Sequence, residues 1–247
     1  MTIEKWGNPI TTSQVAATDK GQSYFGTVAA LPNGGQVVVW SYMVGSQYTT
    51  CFRIIDGLGR SGAIQTVTAS AGSKPPNEVT VLKDGSFVIT WITAGTSGES
   101  IGVKAQKFSI TGVPDQAGPV TLAEPATGRT NDYPAVAANT AKGEGEWVSV
   151  WADTHDGATD NIWFRRSNGD KFTISTVSGV NKPDVVEVAN GKHVVTWVQG
   201  GHVKVALVEA DNTVRPSRMP SSQVAQQAPP TCRPLRHCRL VASPSAG

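Results

Sequence analysis

Apolar and polar residues alternate along the chain in short bursts that end on tryptophan, and the same burst recurs. VAALPNGGQVVVW (28–40), VTVLKDGSFVITW (79–91) and VVEVANGKHVVTW (185–197) share one spacing without a gap. A fourth copy, VAANTAKGEGEWVSVW (136–151), is three residues longer at its turn. An alternation of period two predicts strands. The Asn-Gly and Asp-Gly pairs predict hairpin turns, because these residues tolerate the positive φ that tight turns require. After the turn, Val37 and Val39, Phe87 and Ile89, and His193 and Val195 are expected on one face, with Val38, Trp40 and Val88 on the other. Pro134 and Pro183 stand two residues before the first Val of their copies and are expected to mark strand entrances.

A second alternating segment follows each Trp: TCFRIIDGLG (50–59), GVKAQKFSITG (102–112), IWFRRSNG (162–169) and HVKVALVEADN (202–212). After three of them comes a short β-prone stretch, AIQTVTAS (63–70), GPVTLAEP (118–125) and KFTISTVS (171–178). Three to four strands per unit of roughly 50 residues is the sequence form of a propeller blade. The predicted fold is all-β: a β-propeller of four repeats, near 17–70, 71–128, 129–179 and 180–218, followed by a disordered or aberrant basic tail over 219–247. The stretch WGNPITTSQVA (6–16) resembles a last blade strand, so a closed ring, a five-bladed ring, an incomplete array and a partner-completed assembly all stay open.

Composition narrows the classes. Only 16% of residues are charged, against 26 glycines and 15 prolines, which suits many short strands joined by turns. The net charge of +2 hides an asymmetry: no carboxylate follows Asp211, whereas five arginines do, leaving 16 basic against 19 acidic residues up to that point. No clustered basic stripe marks a nucleic-acid surface, and no apolar run reaches the length of a membrane span. Neither does the N-terminus carry the apolar core of a cleaved signal peptide. Cys51, Cys232 and Cys238 are too few and too scattered for a disulfide framework, and Cys51 is expected as a small core residue.

The wording ITTSQVAATDKGQSYFGTVAALPNGGQVVVWS (10–41) and IGVKAQKFSITG (101–112) resembles the tandem repeats of large secreted bacterial haemolysin-type (RTX) and adhesin proteins, over roughly residues 5–212. The resemblance implies an extracellular or cell-surface setting without a cleaved signal, and scaffold or surface-binding roles; a cytosolic location stays open. The nonapeptide calcium repeat of the haemolysin type is absent from the chain, so its calcium roll is not implied.

Candidate chemistry is sparse. The four repeat tryptophans are either a sugar-stacking rim or packing between blades, and the burial habits of large aromatics favour packing. Trp6, Trp147 and Trp163 fall outside the repeated position and are the expected surface ligand-binding candidates. The loop WADTHDGATDN (151–161) gathers Asp153, His155, Asp156 and Asp160; Asp153, Asp156 and Asp160 are the candidate calcium ligands. The corresponding loops of the other repeats carry almost no acids, so no cofactor is expected, with calcium as the alternative. His193 sits at an inward strand position and reads as a packed histidine. No nucleophile elbow, metalloprotease helix, phosphate loop or dinucleotide fingerprint occurs.

These features point first to a non-enzymatic binding or adhesion module recognising a carbohydrate or another surface ligand, its partners a glycan, a surface protein or a second copy joined through unpaired blade edges. The alternative is a glycan-active hydrolase or lyase, which requires paired carboxylates converging on the central channel; Glu78, Asp84, Glu144 and Asp184 lie near strand entrances or turns where that is feasible. A scaffold fragment of a longer array is the third reading.

Overall fold

Each tryptophan-ended burst forms a hairpin, and each hairpin opens a four-stranded antiparallel sheet. The computed structural model describes residues 21–216, apart from 45–46, 72–76, 95–100, 125–127 and 156–158. Trp6, the N-terminal stretch 6–16, Asp156 and the expected tail 219–247 therefore lie outside the described residues. The first sheet contains β1 (Gln22–Ala30), β2 (Gln36–Val44), β3 (Gln47–Ile55) and β4 (Gln65–Ala71). The second holds β5 (Asn77–Val81), β6 (Phe87–Ala94), β7 (Ile101–Phe108) and β8 (Val120–Ala123). The third holds β9 (Arg129–Ala138), β10 (Trp147–His155), β11 (Asn161–Arg166) and β12 (Lys171–Thr176). The fourth is β13 (Val180–Ala189), β14 (Lys192–Gln199), β15 (His202–Val208) and β16 (Val214–Pro216). A single parallel bridge, Ile101 to Thr130, links the second and third sheets. The expected all-β propeller of four repeats is the observed architecture. Among the described residues no helix is long and apolar enough to cross a membrane.

The turns follow the chemistry of their residues. Gly34 and Gly85 take φ of 81° and 82°, the one left-handed step that a four-residue turn needs. Asn190 and Gly191 are both left-handed, as a two-residue turn requires.

The first strand of each sheet lies against the first strand of the next, β1 by β5, β5 by β9 and β9 by β13. Three apolar clusters fill the three contacts between successive blades. Val37, Val39 and Phe52 meet Val79, Phe87, Ile89 and Trp91. Val88, Val103, Ala105 and Leu122 meet Val136, Trp147 and Trp151. Val148, Val150, Ile162 and Phe164 meet Val180, Val185, Val195 and Trp197. One unit cannot bury both faces of its sheet; a neighbour on each side does so.

This arrangement corrects the expected alternation in the first repeat. Phe87, Ile89 and Trp91 face the preceding blade and Val88 faces the following one. Val37 and Val39 face the following blade, so they match Val88 rather than Phe87. Trp40 lies on the other face, in a small cluster with Tyr42 and Cys51. That face of the first blade has no blade before it among the described residues.

The prolines are also placed differently from the expectation. Pro134 and Pro183 lie inside β9 and β13, not at their entrances. Each occupies an irregular step where the ladder with the next strand skips residues, between Val150 and Ala152 in one case and between Asn181 and Asp184 in the other. A bulge spares the hydrogen bond that proline cannot donate.

Candidate functional site

The irregular step recurs in three of the four first strands, β1, β9 and β13, and it shapes a cavity between them. Phe25, Tyr133 and Lys182 occupy the same place in their repeats, three residues before the first Val. All three have left-handed backbones, with φ of 51°, 51° and 49°. Positive φ on a bulky residue costs of order 1–3 kcal/mol, and Tyr133 and Lys182 also precede prolines, which restrict the residue before them. The tryptophan of the neighbouring strand backs each step: Trp40, Trp151 and Trp197 stand at the skipped positions of their ladders. Bulges turn side chains out of the plane of a sheet. Here they present Phe25, Tyr133 and Lys182 to a shared cavity.

That cavity, about 510 Å³, is lined by all four first strands, including Phe25, Thr27, Glu78, Tyr133, Lys182 and Asp184. Its volume is that of a small-molecule site. Thr27, Glu78, Ala135 and Asp184 occupy equivalent positions, one residue before the first Val, so two of the four repeats supply a carboxylate at the same height. Glu78 is half-buried; burial pushes its carboxyl up, the backbone N–H of Val79 partly offsets this, and the negative charge of Asp184 pushes it up further. Asp184 is exposed and accepts a hydrogen bond from the backbone N–H of Val185 at 2.8 Å. A neighbouring carboxyl, Asp132, accepts from the backbone N–H of Tyr133 at 2.8 Å, and burial pushes it up too. It thereby holds the start of the Tyr133 step. Among the described residues no group of three or more His, Cys, Asp or Glu side chains is arranged to hold a metal ion.

Of the four carboxylates singled out in the sequence, Glu78 and Asp184 reach the cavity and Asp84 and Glu144 do not. Asp84 belongs to the β5–β6 turn, where it accepts from Ser86 and pairs with Lys107 at 3.0 Å; burial opposes ionisation, but these partners hold its carboxyl below the usual range. Glu144 pairs with Lys83 at 3.3 Å.

The surface position expected for Trp147 does not hold: it is 5% exposed and packs on Val88 and Val103 of the preceding blade. It is the structural counterpart of Phe87 and His193, four residues before its repeat tryptophan. Trp163 is half-buried, stacks on Trp151 with centroids 6.4 Å apart, and lies under the Lys171 ammonium. Its indole N–H donates to Asp153 Oδ2 at 3.1 Å, and Arg129 approaches the same oxygen at 2.7 Å. Asp160 Oδ2 accepts from the backbone N–H of Gly179 at 2.6 Å. The structure thus gives Asp153 and Asp160 protein partners within the third blade. The repeat tryptophans are all buried, Trp91, Trp151 and Trp197 in the contacts between blades and Trp40 in the cluster with Tyr42 and Cys51.

The sequence reading missed Phe25, Tyr133, Lys182 and Asp132. The available signal was positional: counting back three residues from each repeat Val lands on the first three of them.

No protein-family model and no curated protein matches the chain. Among solved structures it is similar to an endo-arabinase from Bacteroides thetaiotaomicron, at 14% identity over 78% of each chain with a TM-score of 0.48. It is similar to fructan 1-exohydrolase IIa from Cichorium intybus at 13% identity, over 79% of this chain and 44% of that one, with a TM-score of 0.49. The chain thus spans less than half the length of the fructan exohydrolase. The β-propeller domain of the Trilobed protease from Pyrococcus furiosus is matched at 8% identity, over 79% of this chain and 84% of that one, with a TM-score of 0.22. At these identities and TM-scores the likeness concerns architecture alone. The expectation of a non-enzymatic binding or adhesion module is corrected by the geometry of the chain: its candidate Trp147 and the four repeat tryptophans are buried, while two carboxylates, Glu78 and Asp184, line the cavity.

Proposed function

We propose that the chain is a glycan-active hydrolase whose reaction takes place in the cavity between the four first strands. The observation that carries this reading is the placement of Glu78 and Asp184 in the lining of one cavity in unlike surroundings. A carboxyl held protonated to higher pH beside a second carboxyl open to solvent divides the pair into an acid and a base. Glu78, half-buried and beside a negative charge, keeps its proton to higher pH and is the general acid. Its proton passes to the glycosidic oxygen as the bond from the anomeric carbon to that oxygen breaks. Asp184, open to solvent, takes a proton from the water whose oxygen bonds to the anomeric carbon. Positioned acid–base pairs of this kind contribute about 10²–10⁴-fold each to rate. The extracellular setting that the repeat resemblance implies suits such a substrate.

The test is release of reducing ends from a panel of plant and bacterial polysaccharides by the full chain. Release that disappears in Glu78→Gln and in Asp184→Asn, with both variants still folded, supports the reading. Release unaffected by either substitution removes it.

A further inference from the structure

The cavity has a rim as well as a wall, and the rim is built from the three strained positions. Phe25 and Tyr133 are 47% and 37% exposed, although both carry large apolar rings. Strain of this kind persists only where the surrounding structure enforces it, and here it is enforced three times at equivalent places. The result is two aromatic faces and one ammonium turned toward a common space. The Lys182 ammonium lies over the Tyr133 ring, 5.9 Å from its centroid. Among the described residues Lys182 forms no ion pair.

We infer that the cavity takes an acidic sugar residue, its anionic group held by Lys182 while the sugar ring stacks on Tyr133 and Phe25. This rests on the reading of the cavity as a glycan site and names its substrate class. A sugar lying on the Tyr133 face brings a ring substituent within reach of the ammonium that already sits over that face. A hydroxyl there accepts a neutral hydrogen bond; a carboxylate or sulfate accepts a charge-assisted one, roughly twice as strong. The cavity carboxylates set the limit on this attraction. Glu78, half-buried and with its carboxyl pushed up by burial, adds less repulsion than an exposed carboxylate, and Asp184 is the one exposed carboxylate of the lining. Lys182 neutralises what Asp184 would otherwise repel.

Uronates and sulfated sugars share this chemistry, and the experiment separates them. Calorimetric titration uses the full-length Glu78→Gln chain, in which turnover is suppressed, with three probes: trigalacturonate, its methyl ester, and a sulfated galactotriose. The expected result is binding of trigalacturonate or of the sulfated probe at least about tenfold tighter than the neutral ester. Adding Lys182→Gln removes that preference, a loss of about 10- to 100-fold, while Lys182→Arg retains it. Which anionic probe binds tells carboxylate from sulfate. Phe25→Ala together with Tyr133→Ala weakens all probes that bind by a similar factor. Equal binding of acid and ester, an anionic preference that survives Lys182→Gln, or no binding of any probe overturns the inference. Lys182-dependent binding without any glycan cleavage by the unsubstituted chain would leave this inference standing and remove the hydrolase. Cleavage of neutral glycans with no acidic preference would do the reverse.

Discussion

Val28 and Val79 hold equivalent places in the first strands of successive repeats, yet Val28 is 62% exposed and Val79 is 6% exposed. The difference is a neighbour. Val79 packs on the first blade, as Val136 packs on the second and Val185 on the third, whereas Val28 has no preceding blade among the described residues. At the other end Val188, the counterpart of the buried Leu31 and Leu82, is 53% exposed. The same substitution should therefore have opposite consequences at matched positions. Val79→Asp buries an unpaired charge and is expected to destabilise by about 3 kcal/mol or more, whereas Val28→Asp should change stability by no more than about 0.5 kcal/mol. Chemical denaturation of the two variants checks this; similar losses would mean that Val28 is covered.

The blades are also joined by cations at one repeated position. Lys107 donates to the Gly145 carbonyl at 3.2 Å, and Arg166, its counterpart in the next blade, reaches the Glu209 carbonyl at 2.9 Å and Asn212 Oδ1 at 2.8 Å. Arg166 is buried and shaped as a fork, so Lys should not replace it. We expect Arg166→Met and Arg166→Lys each to cost about 2 kcal/mol or more, through acceptors left unpaired in the contact between the third and fourth blades. Thermal unfolding is the readout, and a Lys variant as stable as the original chain would contradict the fork.

His193 gives the fold a pH dependence. Its ring is fully buried, with Nδ1 3.1 Å from the Gly191 carbonyl oxygen and Nε2 2.9 Å from that of Ala138. Burial, aided by the Arg166 charge, holds its proton affinity below the usual 6.5 despite both carbonyls and Glu187. The unfolded chain takes up a proton near pH 6.5 that the folded chain refuses. Stability should therefore be full above about pH 6.5 and decline as pH falls from there toward the lowered folded value. Melting temperatures from pH 7.5 down to 5 should show this slope, and His193→Phe, which copies Phe87, should flatten it. An equal slope in both proteins would place the titration elsewhere.

The propeller was legible because each blade repeats the same physical problem. A hairpin turn needs Asn-Gly or Asp-Gly, and a blade contact needs Trp and alternating apolar residues, so the solution recurs in the sequence. Trp147 escaped because the repeat was recognisable by its closing Trp, although four residues before that Trp it fills the place of Phe87. The cavity was legible in part. Glu78 and Asp184 announced themselves as carboxylates near strand entrances, but so did Asp84 and Glu144, and one-dimensional proximity to a turn does not say which end of a blade the turn occupies. Phe25, Tyr133 and Lys182 share a backbone shape and a place three residues before the repeat Val but not one side-chain type, so position alone marked them.

The central claim is that Glu78 protonates a leaving group, and leaving-group dependence tests it most directly. Rates of the unsubstituted chain and of Glu78→Gln should be compared on glycosides with an activated nitrophenyl leaving group and on unactivated oligosaccharides of the same sugar. A leaving group that departs without protonation does not need the acid. The account predicts a loss of about 10²–10⁴-fold on the oligosaccharide and a far smaller loss on the nitrophenyl glycoside. Equal losses on both, or oligosaccharide cleavage at the original rate in Glu78→Gln, would contradict it.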